Sequence, residues 1–351
     1  MSNRAKAILA VMTGNVIFGF SFIFSKMALQ ITVPSVLVAV RFLMAFLVLN
    51  LIVLVGSRIR VPVREEGKGS NDAAARPQTG LQNGTQTGPQ TRPLVEFSLR
   101  GKPLRYVLLL ALFQPILYFL CESYGIVYTS SSFAGTIIAV IPVAAIVFDV
   151  VLMHSKVRPR QVVCAVLSAI GVAITTVGAE GMKSSVLGLL ILLGAVAAGA
   201  LFYVFSKKSG NHYNPLEQTY VMFALGSLVY VTFAIVQCRG HYQELVLSAI
   251  TQPVFIIAVL YLGVISSVVA FIALNYGTVR VTVSEAAIFA NLTTVISIVA
   301  GVVFLHEAFT LFQVVGAVII IASVYAANRS QHGAEAEPAA PGRHGAEESS
   351  K

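Results

Sequence analysis

The 351-residue chain is 56% hydrophobic and 11% charged, with a mean hydropathy of +0.82 and a formal net charge of +9. That apolar content exceeds what a soluble globular domain carries, so a water-soluble enzyme and a nucleic-acid-binding module are both excluded despite the basic balance. An all-α integral membrane protein is expected, since roughly 20 consecutive apolar residues cross the hydrocarbon as a helix.

Ten segments fit that template, over 7–27, 34–55, 105–128, 130–152, 160–179, 185–206, 215–237, 253–277, 282–304 and 311–327. The first follows Arg4 and Lys6 and runs on to Lys26 without a small-x-small cleavage site, which predicts a retained anchor helix rather than a secretory leader. It carries Asn15 at depth, with Phe18 and Phe22 one turn apart, and Lys26 set to snorkel at its outer end. The second places Arg41 about seven residues inside its outer end, roughly 10 Å below the surface at 1.5 Å per residue.

Residues 56–104 form the one long connection, polar and rich in Gly, Gln, Thr and Pro, and predict a flexible cytoplasmic linker. Gln114, Tyr118 and Glu122 follow, four residues apart on one face of the third helix. Each polar group at mid-membrane is costly, about 2.5–3.5 kcal/mol for a charged one on insertion scales, so such a stripe must face a cavity or other helices. Pro115 beside it predicts a local distortion. Glu122 lies at nearly the depth of Arg41, which leaves three readings: a structural ion pair, a proton site tuned by the arginine, or an arginine that meets an anionic group on substrate.

Further along, Tyr203 in the sixth helix, Asn275 in the eighth, and Asn291 with Thr294 in the ninth are polar groups at depth. Asp149 and Glu285 fall near the inner ends of the fourth and ninth helices and read as interfacial charges. Cys121, Cys164 and Cys238 are an odd number lying in or beside spans and suggest no disulfide framework. Tryptophan is absent, so interfacial anchoring falls to tyrosines.

With the N-terminus inside, the cytoplasmic segments collect nearly all Lys and Arg, and the outer side receives Lys26, Lys183 and Arg239. The positive-inside rule therefore places both termini in the cytoplasm of a cell whose inner membrane holds the chain. A shift of 152 residues lays the sequence on itself: Phe119, Tyr124, Gly125, Ser132, His154 and Gln161 recur as Phe271, Tyr276, Gly277, Ser284, His306 and Gln313. Each copy holds an odd number of spans, so the copies face opposite ways in the bilayer, as in secondary transporters. The expected domains are a first five-helix repeat (1–55 and 105–179) interrupted by the 56–104 linker, a second repeat (185–327), and a disordered cytoplasmic tail (328–351).

Neither a phosphate-binding loop nor a nucleophile elbow occurs, and His306-Glu307 lacks the second histidine of a zinc-protease motif. No enzyme, cofactor or metal is expected.

Gly14, Phe18-Gly19 through Lys26, Arg41 with Phe42 and Ala45, the run YGIVYTSSS from Tyr124, Pro142, and Glu307 with Gln313 and Gly316 together resemble the EamA branch of the drug/metabolite transporter superfamily. Phe18 stands where the family often has tryptophan, Ser155 replaces the signature glutamate in the first copy, and Thr294 replaces the proline in the second. The resemblance implies a ten-helix carrier of two inverted five-helix repeats whose first, third, fourth, sixth, eighth and ninth helices surround a central cavity. The expected function is a proton-coupled exporter of a small metabolite, amino-acid or drug-like. Asn15, Phe22, Gln114, Tyr118, Glu122, Tyr203, Asn275 and Asn291 would line the substrate site, with Glu122 and Arg41 as the coupling or ion-pair residues. An uncoupled facilitator or exchanger and a membrane receptor stand as alternatives. The partners are the lipid bilayer and a small-molecule substrate, with no nucleic acid; a homodimer is left open.

Overall fold

The computed structural model describes residues 2–62, 91–93, 97–128, 137–176, 185–305 and 311–335. Apart from one short hairpin ladder, the described chain is helical. The first helix is Asn3–Leu29, the second Pro34–Arg58, the fourth Ile141–Met153, the fifth Pro159–Thr176, the sixth Val186–Ser209, the seventh Pro215–Gln237 and the tenth Leu311–Glu335. The third is broken, Leu104–Ala111 passing through an irregular turn at Leu112–Leu117 into Tyr118–Tyr128. The eighth is broken likewise, Pro253–Leu260 passing through Tyr261–Val269 into Ala270–Thr278. The ninth is Val283–Ala290 followed by Leu292–Leu305.

Six of these helices are long and apolar enough to cross a membrane by length and composition, and four shorter apolar ones accompany them. Their starts obey local chemistry. Asn214 and Thr282 each accept the N3 backbone N–H while Glu217 and Glu285 reach back to the cap, and Pro34, Pro215 and Pro253 occupy first turns where a missing N–H costs nothing. Leu47, Leu51, Leu190, Ile257 and Phe304 are exposed around the perimeter, as groups that face lipid must be.

The first helix packs on the eighth and ninth, and the sixth on the third and fourth; the second packs on the seventh and the fifth on the tenth. Small residues set two of these crossings. A Cβ at Gly277 would strike Val11 and stand 2.9 Å from the Ala7 carbonyl oxygen, and one at Gly125 would strike Leu192. Gly277→Val is therefore expected to destabilise the fold by about 1–3 kcal/mol through overpacking, read as a lower melting temperature in detergent. An unchanged melting temperature would show that the crossing yields instead. At the centre, Phe18, Phe223 and Phe202 meet Phe271 at ring-centroid distances of 5.2, 5.2 and 6.1 Å, so Phe18 is a packing residue.

Two boundaries differ from expectation. The ends of the 56–104 connection are ordered: Arg60–Pro62 pairs antiparallel with Thr91–Pro93, the Phe97 ring packs edge-on to Tyr220 at 4.9 Å, and Ser98 N–H donates to Glu217 at 2.8 Å. Its centre, 63–90, lies outside the described residues. The tenth helix continues to Glu335, past the expected start of the tail at 328; the sequence from Asn328 to Glu335 holds no proline to interrupt it. The remainder of the tail lies outside the described residues.

Candidate functional site

The polar stripe of the third helix takes shape around a backbone interruption. Gln114 leaves helical geometry, at φ −145° and ψ 123°, immediately before Pro115. A break there frees carbonyls from their usual helical donors, and inside a membrane such groups need another partner. Tyr230 of the seventh helix supplies it, donating its hydroxyl to the Ile116 carbonyl at 2.9 Å. Beyond the break, Tyr118 and Glu122 fall one turn apart, and the Tyr118 hydroxyl donates to Glu122 Oε1 at 3.2 Å. Gln114, Tyr118 and Glu122 are all half-buried rather than sealed.

Tyr203 and Tyr118 share a neighbourhood. A Cβ on Gly199 of the sixth helix would lie 3.3 Å from the Tyr118 ring, and Tyr203 stands one turn farther along, buried and edge-on to Phe202 at 5.1 Å. The third and sixth helices thus bring a second phenol near the one that bonds the carboxyl.

Arg41 is buried and forms no contact ion pair with Glu122. Its Nε donates to Ser267 Oγ at 2.9 Å and its Nη2 to Ser266 Oγ at 3.0 Å, both on the irregular segment of the eighth helix. The guanidinium carbon stands 5.4 Å from the Phe119 ring centroid and 5.6 Å from that of Phe42, an arrangement in which ring quadrupoles favour the cation.

The three asparagines hold helices together. Asn15 donates to the Val11 carbonyl at 2.8 Å and its backbone oxygen accepts from Thr293 at 3.1 Å. Asn275 accepts from Ser206 at 2.8 Å and donates to Thr219 at 3.1 Å, tying the sixth, seventh and eighth helices. Asn291 donates to Ser168 at 3.0 Å and to the Ala139 carbonyl at 3.4 Å. These bonds give the groups that depth and polarity singled out partners within the helix packing. The Phe22 and Lys26 side chains lie outside the described residues.

At the predicted cytoplasmic end the charges pair. Arg4 Nη2 meets Glu285 Oε1 at 3.0 Å, with Glu285 1% exposed. Thr282 donates its backbone N–H and its hydroxyl to the other carboxylate oxygen, both at 3.1 Å. Lys207 donates to the Val281 carbonyl at 2.7 Å, and Ser155 donates to Asp149 at 2.9 Å. Nearby, Glu217 takes Ser98, Asn214 and Lys102, and Lys102 sits 5.2 Å over the Tyr213 ring. Burial, with Glu217 beside it, holds the Tyr213 phenol above its ordinary pKa. Glu217 and the Arg4–Glu285 pair escaped the sequence reading; the only signals were the Asn-x-x-Glu and Thr-x-x-Glu capping patterns. Among the described residues no His, Cys, Asp and Glu gather into a group able to hold a metal, and all three cysteines are free thiols.

A sequence profile described as the EamA-like transporter family matches residues 88–177 and 186–329. The chain belongs to that family. Among similar proteins, the uncharacterized transporter YcxC of Bacillus subtilis (strain 168) is 29% identical over 329 residues, 93% of each chain. A probable terminal-alkyne amino-acid exporter of Streptantibioticus cattleyicolor is 24% identical over 63% of this chain and 72% of its own. One solved crystal structure superposes with a TM-score of 0.70 at 15% identity, covering 95% of this chain and all of the other, so the two share a fold. This EamA-like protein is accordingly a multi-pass membrane transporter, in contact with lipid along its exposed apolar perimeter.

Proposed function

We propose that this EamA-like protein is a proton-coupled secondary exporter of a small metabolite, working by alternating access in the cytoplasmic membrane with both termini inside. All ten apolar helices cross the bilayer as two inverted five-helix repeats. Three features support the duplication. Helix contacts exchange in pairs, first–eighth with sixth–third and first–ninth with sixth–fourth. The irregular turn at Leu112–Leu117 maps onto the one at Tyr261–Val269 under the 152-residue shift. Ala139 and Asn291, also 152 apart, touch each other, as equivalent positions do beside a local two-fold axis.

The observation that carries the functional reading is Glu122. It is a half-buried carboxyl well inside an apolar bundle, bonded to a phenol and lacking a contact cation among the described residues. Tyr118 and Tyr230 are titratable groups beside it, and Arg41 is a cation whose field reaches it. A group so placed accepts a proton from one side and releases it to the other when access switches. Proton and substrate competing for one carboxyl is the simplest route to antiport. The exporter named among the relatives supports the outward direction.

The test is a metabolite-wide comparison of medium and cytoplasm in cells with and without the protein, repeated after the proton gradient is collapsed. One compound is expected to accumulate outside only when the protein and the gradient are both present. Export that survives collapse of the gradient would favour the uncoupled facilitator, and no difference between the cells would remove the transport reading.

A further inference from the structure

Each of the two broken helices is gripped at its break by a helix of the other proposed repeat. On the third helix, Tyr230 of the seventh donates its hydroxyl to the Ile116 carbonyl at 2.9 Å and reaches the Pro115 carbonyl at 3.4 Å. One turn before Tyr230, Gly226 makes room for the proline ring, since a Cβ there would stand 2.7 Å from Pro115 Cγ. On the eighth helix, Arg41 of the second donates to Ser266 and Ser267 at 3.0 and 2.9 Å. A Cβ on Gly263 would stand 3.0 Å from Met44 Cβ and 3.2 Å from the Arg41 carbonyl oxygen, so the backbones approach closely here too. Tyr230, Arg41 and both serines are buried, which shields these hydrogen bonds from water. The two grips fall at equivalent places. Under the 152-residue shift Gln114 and Pro115 lie on Ser266 and Ser267. Pro34, Val40 and Phe42 of the second helix answer in order and spacing to Pro215, Val221 and Phe223 of the seventh, and the Phe42 and Phe223 rings meet at a centroid distance of 5.3 Å. Each break is also a parting point. The third helix packs on the sixth and seventh up to the end of its break and on the sixth beyond it; the eighth packs on the first and second up to the end of its break and on the first, sixth and seventh beyond it. A helix held at a kink and released from the holding helix beyond it is a lever whose angle the clasp sets.

We propose that Tyr230 with Gly226, and Arg41, are paired positioning residues that set the angles of the third and eighth helices, and that the two clasps favour opposite access states. The opposition follows from inversion. In a carrier built of inverted repeats, passing from the inward-open to the outward-open form exchanges the roles of equivalent parts, so a clasp that is tighter in one form has a counterpart that is tighter in the other. The clasp on the third helix also reaches the proton site through the backbone, because Tyr118, which bonds Glu122, lies two residues beyond Ile116. The inference rests on the inverted-repeat carrier proposed above.

Hydrogen–deuterium exchange of the purified full-length protein tests this, with backbone amides at the proposed inner ends (153–158 and 279–282) compared with those at the outer ends (30–33 and 238–252). Tyr230→Phe removes one hydroxyl and keeps the ring, and Ser266→Ala with Ser267→Ala removes the two acceptors of Arg41. Each is expected to change the ratio of inner to outer exchange by about threefold or more, the scale on which one neutral hydrogen bond weights two states, and in opposite directions. Gly226→Ala, which displaces the Pro115 ring, is expected to move the ratio the same way as Tyr230→Phe, and Ser267→Ala alone the same way as the double serine variant. A contact that only holds the fold together would instead raise exchange at both ends at once. Ratios that stay constant, or that move in one direction for both clasps, would overturn the inference. The milder Gly226→Ala and Ser267→Ala proteins decide it if either of the others fails to fold. Opposite shifts in a protein that moves no compound would leave the clasps standing and remove the transport reading, whereas export with unshifted ratios would remove the clasps alone.

Discussion

Glu122→Gln is expected to abolish the dependence of transport on a pH gradient while leaving the protein folded. If one proton exchanges for each substrate, a gradient of one pH unit contributes about 1.4 kcal/mol, enough for about tenfold accumulation. The glutamine carbonyl can still accept the Tyr118 hydroxyl that Glu122 accepts at 3.2 Å, so the local hydrogen bond survives and only the titration is lost. Reconstituted vesicles would then show no accumulation driven by an imposed gradient, together with a melting temperature within a few degrees of the unaltered protein. Phenols cannot substitute for the carboxyl near neutral pH, since an ordinary tyrosine titrates only around pH 10. Gradient-driven accumulation that persists in the variant would remove Glu122 from the coupling role and shift attention to the uncoupled exchanger.

Why that residue was visible in sequence, and others were not, follows from what a linear pattern encodes. Spacing of four placed Tyr118 and Glu122 on one face, and Pro115 announced the break that takes Gln114 out of that periodicity. Both are properties of a single helix. Whether a polar group at depth opens on accessible space or closes on a neighbour depends on helices far away in sequence. Asn15, Asn275 and Asn291 have the same signature of polarity and depth as Glu122, yet Thr293, Ser206 and Ser168, each on another helix, satisfy them. Arg41 shows the same limit from the other direction. Its depth matched that of Glu122, but two serines 225 and 226 residues away engage its Nη2 and Nε, and no pattern in the second helix foretells them. The ordered ends of the 56–104 connection are a third case: composition predicts flexibility, while Glu217 provides a buried acceptor for Ser98 and Lys102 that only the fold brings near.

The Arg4–Glu285 pair is expected to behave as a latch on the cytoplasmic side. It joins the start of the first helix to the start of the ninth, which in the proposed alternating-access arrangement belong to opposite repeats and would part as the inner side opens. Glu285 is almost wholly enclosed, and Thr282 occupies its second oxygen, so the carboxylate is committed to this geometry; Arg4 Nη1 is buried with no hydrogen-bond partner among the described residues. Removing one member of such a pair strands the other, whereas separating both into water lets each be hydrated, which is what makes the contact reversible. Glu285→Arg should therefore slow transport by about tenfold or more through like charges at 3.0 Å contact distance. Adding Arg4→Glu should restore much of that loss, with a coupling of about 1–3 kcal/mol between the two sites in a double-mutant cycle. In a background free of Cys121, Cys164 and Cys238, joining Arg4→Cys to Glu285→Cys with a short bis-maleimide should stop turnover altogether, because the two ends could no longer move apart. A charge exchange that recovers nothing, together with a cross-linked protein that transports at its normal rate, would show that the first and ninth helices stay together throughout the cycle and that the inner side opens elsewhere.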